Sequence, residues 1–193
     1  MQTANGFAFK EWAAVCAALE EGRQSVILRK GGIHEGGDGF RVEHSEFWLF
    51  PTRFHQEPEE LVDEARGLIE RAAGRQSPAG MIGISLYAVV EEVLHVADES
   101  LLPMLAGWHV LSPRVVSERF HYRTPGLFVL PVRIYRLLYP VHLPDSPHFA
   151  GCKSWVDFPV ELPTSGLKPV LADQEHRERM SRLRAALAKV RTV

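Results

Sequence analysis

The sequence has little cysteine, no long apolar run and no strong excess of charge of one sign. The two cysteines among 193 residues, Cys16 and Cys152, are too few for a disulfide framework, and their apolar or small-residue surroundings favour reduced thiols. The longest apolar stretches, around Val15 and at Leu127 to Leu130, are far shorter than the roughly 20 residues that a membrane-spanning helix needs. Met1 to Lys10 lacks the pattern of a signal peptide. We therefore expect a cytoplasmic protein with no membrane partner.

The charge balance excludes one class of nucleic-acid-binding protein. With 22 Lys and Arg against 24 Asp and Glu, the formal net charge is −2. This is not a strongly basic domain, although a local basic patch is compatible with it. The 46% hydrophobic and 24% charged composition excludes disordered and fibrous classes. Because no repeat or long linker is visible, we predict a single domain over residues 1–193.

Two segments have the apolar periodicity of amphipathic helices. The first runs from Pro58, a favoured first helical residue, to Gly74, a favoured terminator. The second begins near Asp173 and carries Met180, Leu183, Leu187 and Val190 on one stripe. Shorter helices are predicted at Leu101 to Leu105 and at Pro113 to Phe120, where Ser112 is the expected cap.

Apolar and β-branched segments predict the strands. They are Ser25 to Arg29, Glu46 to Phe50, Met81 to Val96, Phe128 to Leu138 and Ser154 to Phe158. Residues 12–19 have two interpretations: their alanines favour a helix, whereas the turn around Gly22 favours a hairpin with the next apolar run, and we predict the hairpin. Together, these helices and strands predict an α/β fold, with α+β as the alternative, in which helices flank a mixed sheet.

The densest group of histidines and carboxylates lies between residues 29 and 57. His34, Glu35, His44 and Glu46 are the candidate ligands of a divalent metal, because imidazole and carboxylate together suit such an ion. His44, His55 and Glu46 are the candidate catalytic groups, since either side-chain type acts as a general base. The spacing matches no known ligand motif, and solvated loop residues are the alternative interpretation.

A glycine-rich loop follows the strand that ends at Arg29. Residues 30–39 contain five glycines, and glycine lets backbone N–H groups approach an anion closely. We predict phosphate contacts from Lys30, Gly31, Gly32 and Arg53. The alternative is a flexible turn with a surface lysine.

Two further basic clusters favour contact with a phosphate backbone, or form a solvated face. They comprise Arg114, Arg119, His121, Arg123, Arg133 and Arg136, and then Arg177, Arg179, Arg182, Arg184, Lys189 and Arg191.

Three ordered motifs carry a family resemblance. They are Leu28 to Glu35, Phe47 to Gln56 and Gly151 to Val156. Together they resemble the bacterial family called domain of unknown function 1802. The resemblance implies little about activity, but members of that family are associated with restriction-endonuclease-like domains. It therefore implies a link to DNA restriction or defence and a nuclease partner.

The order of parts is also similar to that of Nudix hydrolases. Those enzymes hold Mg with an Arg-Glu-x-x-Glu-Glu cluster on a helix, to which Arg66 and Glu70 correspond. The Nudix pattern also has a glycine and a glutamate before this cluster, and this sequence has Thr52 and Pro58 there. Within the cluster it has Gly67 and Arg71 in place of two glutamates. The likeness therefore implies a Nudix-like scaffold without the usual metal chemistry.

Three functional hypotheses follow. The first is a Nudix-like domain that binds the phosphate of a nucleotide or nucleic acid without hydrolysing it. The second is a metal-dependent phosphohydrolase or nuclease that uses the histidine and carboxylate cluster. The third is a protein-interaction module that acts with a nuclease.

Overall fold

The computed structural model describes residues 1–30, 43–53, 56–74, 77–151, 153–188 and 190–192. The strands are β1 (Ala4–Trp12), β2 (Val26–Arg29), β3 (Glu46–Thr52), β4 (Met81–Val90), β5 (Leu94–Val96), β6 (Leu127–Pro144), β7 (Trp155–Pro163), β8 (Lys168–Pro169) and β9 (Arg191–Thr192). The α-helices are α1 (Ala13–Glu20), α2 (Gly67–Gly74), α3 (Pro113–His121) and α4 (Asp173–Ala186). Short 3₁₀ helices lie at Pro58–Glu60, Asp63–Ala65, Glu99–Leu105 and Pro147–Phe149.

The strands form one mixed sheet in the order β7, β1, β3, β4, β6, β5, β9, and β2 and β8 also pair with β6. Within the described residues β1 and β3 are the parallel pair, and the other pairings are antiparallel. The predicted mixed sheet flanked by helices is confirmed.

Both faces of the central strands are buried. On β3, Phe47 and Leu49 belong to one apolar core, and Trp48 and Phe50 to the other. This alternation follows from the period of two along a strand. The first core also contains buried apolar residues from each of the four α-helices, so that face is the one covered by helices.

The hairpin predicted from residue 12 is wrong. Residues 13–20 form α1, in which every residue from Ala13 to Leu19 is buried. A helix buried all round shows no apolar stripe, so periodicity could not distinguish it from a strand. The helix propensity of its four alanines was the better signal.

The single helix predicted from Pro58 to Gly74 is also wrong in its first half. Leu61 forms an isolated bridge with Leu111, and the Val62 amide donates to the Val110 carbonyl at 3.0 Å. These contacts hold the chain extended between two 3₁₀ turns, so the α-helix begins only at Gly67. The Nudix-like arrangement, which needs one continuous helix here, is not supported.

The remaining elements agree more closely with the sequence. Ser112 caps α3 by accepting a hydrogen bond from the Val115 amide, and α4 begins at Asp173 as predicted. The helix predicted at Leu101 to Leu105 is a 3₁₀ helix over Glu99–Leu105, and the strand predicted to stop before Pro51 continues to Thr52. Strand β1 was not predicted from the sequence.

Leu68 provides a test of the packing of α2. Its side chain is fully buried in the first core, so Leu68→Ala should lower the free energy of unfolding by about 2–5 kcal/mol. Glu70→Ala, on the exposed side of the same helix, should change it by less than about 0.5 kcal/mol. Urea denaturation of both variants measures the difference, and equal effects would contradict the packing described.

Candidate anion-binding cleft

A large open cleft lies where the parallel strands β1 and β3 end. Trp12 and Thr52 are register partners at their carboxyl ends, and α1 begins directly after β1. The cleft has a volume of about 1180 Å³. In open α/β sheets, ligands bind in the crevice at the carboxyl ends of neighbouring parallel strands, and β1 and β3 form such a pair here.

Basic side chains outnumber acidic ones in the lining. The basic residues are Lys10, Arg29, Arg53, Arg119 and Lys153, and the acidic residues are Glu11, Glu20 and Asp145. Apolar residues, among them Trp12, Phe50 and Leu86, make up much of the remaining wall. The cleft therefore favours an anion that also carries apolar surface.

Contacts with the fold position three of the cations. The Lys10 ammonium donates to the carbonyls of Phe149 and Gly151. The Arg29 guanidinium lies 4.4 Å from the centre of the Phe9 ring and donates to the Ser154 hydroxyl.

Arg119 is held in a similar way. Its Nη1 donates to the Leu28 carbonyl at 2.9 Å, and its guanidinium lies 4.9 Å from the centre of the Trp12 ring. Because a guanidinium has five N–H donors, this one contact leaves the group able to bind a ligand as well.

Arg53 and Lys153 are the exposed cations of the cleft. Arg53 follows β3 directly, and its Nη2 contacts the Ala72 carbonyl at 3.4 Å. Of the predicted phosphate contacts among the described residues, Arg53 lines the cleft. Lys153 was not predicted as a phosphate contact and belongs to the motif from Gly151 to Val156.

Glu11 lies among these cations but is almost entirely buried, with 3% of its surface exposed. Its Oε1 accepts a hydrogen bond from the Trp12 amide at 2.8 Å. Its Oε2 is buried and has no hydrogen-bond partner among the described residues. Glu11 was not predicted from the sequence, although the alternation of Phe7, Phe9 and Glu11 places a carboxylate where an apolar side chain is expected.

Lys30 lies apart from the cleft lining. Its ammonium donates to the carbonyls of Phe120, Thr124 and Gly126, at the end of α3. Burial lowers its pKa below the usual lysine value. Its phosphate contact stays a prediction, and Gly31 and Gly32 lie outside the described residues.

The two described candidates for the metal site have other contacts. His44 stacks on Phe7 with 3.7 Å between ring centres and meets the Trp155 ring edge to face. Glu46 accepts hydrogen bonds from the Gln2 amide and the Tyr87 hydroxyl. Burial raises the pKa of Glu46, but these hydrogen bonds and the N-terminal ammonium, 3.3 Å from Oε1, together hold the pKa below its usual value.

The other candidate ligands and bases, His34, Glu35 and His55, lie outside the described residues. Among the residues that the structure does describe, no group of three or more His, Cys, Asp or Glu side chains could hold a metal ion. The metal site and the catalytic roles stay predictions.

A buried histidine lies behind Arg119. His109 is 9% exposed, and its Nδ1 accepts a hydrogen bond from the Leu111 amide at 3.1 Å. Burial, and then the charge of Arg119, lowers its pKa to about 4. His109 is therefore neutral at pH 7 and adds no charge next to the cleft.

The fold and this cleft define the class of the protein: an α+β domain with a mixed sheet and a basic cleft at the ends of its parallel strands. The chain belongs to the family described as "Domain of unknown function (DUF1802)", whose model matches residues 8–182. This confirms the family resemblance seen in the three motifs. None of the curated proteins compared with the chain matches it.

Three solved structures of ASCH from Zymomonas mobilis resemble the chain. One point mutant is 15% identical, covers 91% of this chain and 96% of its own, and superimposes with a TM-score of 0.41. The unmutated protein is also 15% identical, with coverages of 91% and 93% and a TM-score of 0.38.

Within the described residues, no helix is long and apolar enough to cross a membrane.

His109 gives the protein a pH-dependent stability. The unfolded chain binds this proton near pH 6.5, whereas the folded chain binds it only near pH 4, so protonation favours unfolding as the pH falls between these values. We expect a loss of about 3 kcal/mol of unfolding free energy from this group between pH 7.5 and pH 4. Urea denaturation at several pH values measures it.

His109→Asn is the matched control, because an asparagine oxygen replaces Nδ1 as the acceptor and does not titrate. The variant should lose less stability than the wild type over the same pH range. Identical pH profiles for the two proteins would contradict the role assigned to His109.

Proposed function

We propose that the cleft binds the phosphate group of a nucleotide or a nucleic acid. The observation that carries the proposal is the convergence of basic side chains from five separate segments: β1, β2, the residues after β3, α3 and the residues before β7. Their members are Lys10, Arg29, Arg53, Arg119 and Lys153. Like charges brought together by folding cost free energy, which an anionic ligand would offset.

The residue types suit a phosphate. Three of the five cations are arginines, whose planar N–H groups match the spacing of phosphate oxygens. Arg29 and Arg119 are held by the fold, so less conformational entropy is lost when they bind. Arg53 and Lys153 are exposed and can adjust to the ligand.

The rest of the lining supports a ligand larger than inorganic phosphate. At about 1180 Å³ the cleft exceeds the space a single anion needs, and ligand pockets of this size accept whole organic molecules. The half-buried Trp12 ring offers apolar surface for a sugar or base, and the buried Phe50 and Leu86 side chains also line the cleft. This favours a nucleotide unit, free or within a strand.

The metal-dependent hydrolase and the nuclease-associated module remain hypotheses from the sequence. The first uses the cluster of His34, Glu35, His44, Glu46 and His55. Three of these residues, His34, Glu35 and His55, lie outside the described residues. The link to DNA restriction or defence comes from the family resemblance, and a nucleic-acid ligand for this cleft would be consistent with it.

The exposed cations provide the test. Arg53→Gln and Lys153→Gln should each weaken binding of a short single-stranded DNA by about 10-fold at low salt. Each should also reduce the slope of log K against log salt by about 0.7, the value for one lost phosphate contact in a single strand. Isothermal titration calorimetry over a salt series measures both effects, and ATP in place of the DNA separates a free nucleotide from a strand.

Arg114→Gln is the control, because Arg114 is exposed, is paired with Glu118 at 2.7 Å and does not line the cleft. It removes the same charge and should change the affinity by less than 2-fold. The proposal fails if all three variants bind as the wild type does, or if the wild type binds neither DNA nor ATP.

A further inference from the structure

We infer that Glu11 is a specificity-determining residue, which accepts a hydrogen bond from an N–H group of a nucleobase whose phosphate the cleft cations hold. The inference rests on the proposed function and names, in addition, the part of the ligand that Glu11 recognises. It makes the ligand a nucleotide with an accessible base edge, rather than any phosphate ester.

The starting observation is a buried acceptor with no donor. Oε1 of Glu11 is occupied by the Trp12 amide, but Oε2 has no hydrogen-bond partner among the described residues. Leaving a buried carboxylate oxygen without a donor destabilises the protein, and such groups are rare in folded proteins. A group retained at this cost is often one that a ligand completes.

The described surroundings of Glu11 do not supply the missing donor. Its chain neighbour Lys10 donates to the carbonyls of Phe149 and Gly151, and Arg119 donates to that of Leu28. Glu11 lines the cleft, so a donor on a ligand in the cleft is the partner that the geometry leaves open. Because Oε2 has almost no contact with water, that donor must displace part of the lining to reach it.

The donor has to come from a part of the ligand other than its phosphate. A carboxylate only accepts hydrogen bonds. An ionised phosphate also only accepts them, so it has no donor for Oε2. A ligand that satisfies both the cations and Glu11 therefore carries a phosphate and an N–H or O–H group. The apolar wall near Glu11, with the Trp12 ring, favours the flat N–H-bearing edge of a base over a sugar hydroxyl.

The experiment compares binding of AMP, CMP, GMP and UMP with binding of ribose 5-phosphate, by calorimetry. In the wild type at least one nucleotide should bind 10-fold or more tightly than ribose 5-phosphate. Glu11→Gln keeps the size of the side chain and replaces one acceptor oxygen by a donor. It should weaken binding of the preferred nucleotide by about 10- to 100-fold, and weaken ribose 5-phosphate by less than 2-fold.

Asp145→Asn is the matched control for charge, because Asp145 also lines the cleft but is exposed. It removes one acidic side chain and should leave the ratio of nucleotide to ribose 5-phosphate affinity as in the wild type. A second measurement needs no variant: an analogue of the preferred nucleotide with its base N–H groups methylated should bind the wild type at least 10-fold more weakly.

The outcomes separate the two proposals. If the wild type binds ribose 5-phosphate as tightly as every nucleotide, the role of Glu11 is wrong and phosphate binding stands. The same conclusion follows if the methylated analogue binds as well as its parent, or if Glu11→Gln retains the preference. If none of these ligands binds and neither single-stranded DNA nor ATP binds, phosphate binding itself is overturned, and the role of Glu11 with it.

Discussion

The parallel pairing of β1 with β3 is the constraint on which the rest of the structure depends. It aligns Trp12 with Thr52, so two strands end at the same edge of the sheet. Parallel neighbours need a crossover connection, and the chain between them includes α1 and β2. The cleft therefore follows from the topology, because the chain leaves the sheet at this edge in two adjacent places.

The same pairing explains why the cleft is both charged and apolar. Side chains near the strand ends alternate between the two faces, so Lys10 and Glu11 follow the buried Phe9 on opposite sides of β1. Arg29 and Arg119 approach from β2 and α3, and each lies against an aromatic ring of β1. Cations are thus held against apolar surface, where their interaction with a ligand is less screened by water.

The sequence predicted the elements whose signals are local. The Ser112 cap located α3, and the apolar stripe located α4. It failed where tertiary contacts decide: the pairing of Leu61 with Leu111 interrupts a good helical stripe, and complete burial conceals the nature of α1. A window of neighbouring residues does not contain the pairing of Leu61 with Leu111, and in α1 it is the helix propensity of the alanines, not the periodicity, that indicates the helix.

The candidate site shows the same division. Arg53 was among the predicted phosphate contacts, and it lines the cleft. Arg29, Arg119 and Lys10 come from segments that no spacing rule connects, so their meeting could not be read from the sequence. Lys30, the lysine of the glycine-rich motif, does not line the cleft and donates to three backbone carbonyls, and its phosphate contact stays a prediction.

The long strand β6 has a consequence for how the chain acquires its structure. It pairs with β2, β4, β5 and β8, which extend from residue 26 to residue 169. Three of these strands precede β6 in the sequence and one follows it, and none of the four can form this pairing until β6 is available. Most native contacts therefore join residues that are distant in the sequence. Such a topology folds slowly. During synthesis the first half of the chain has unpaired strand edges until β6 leaves the ribosome, and this interval is when the protein is most exposed to aggregation.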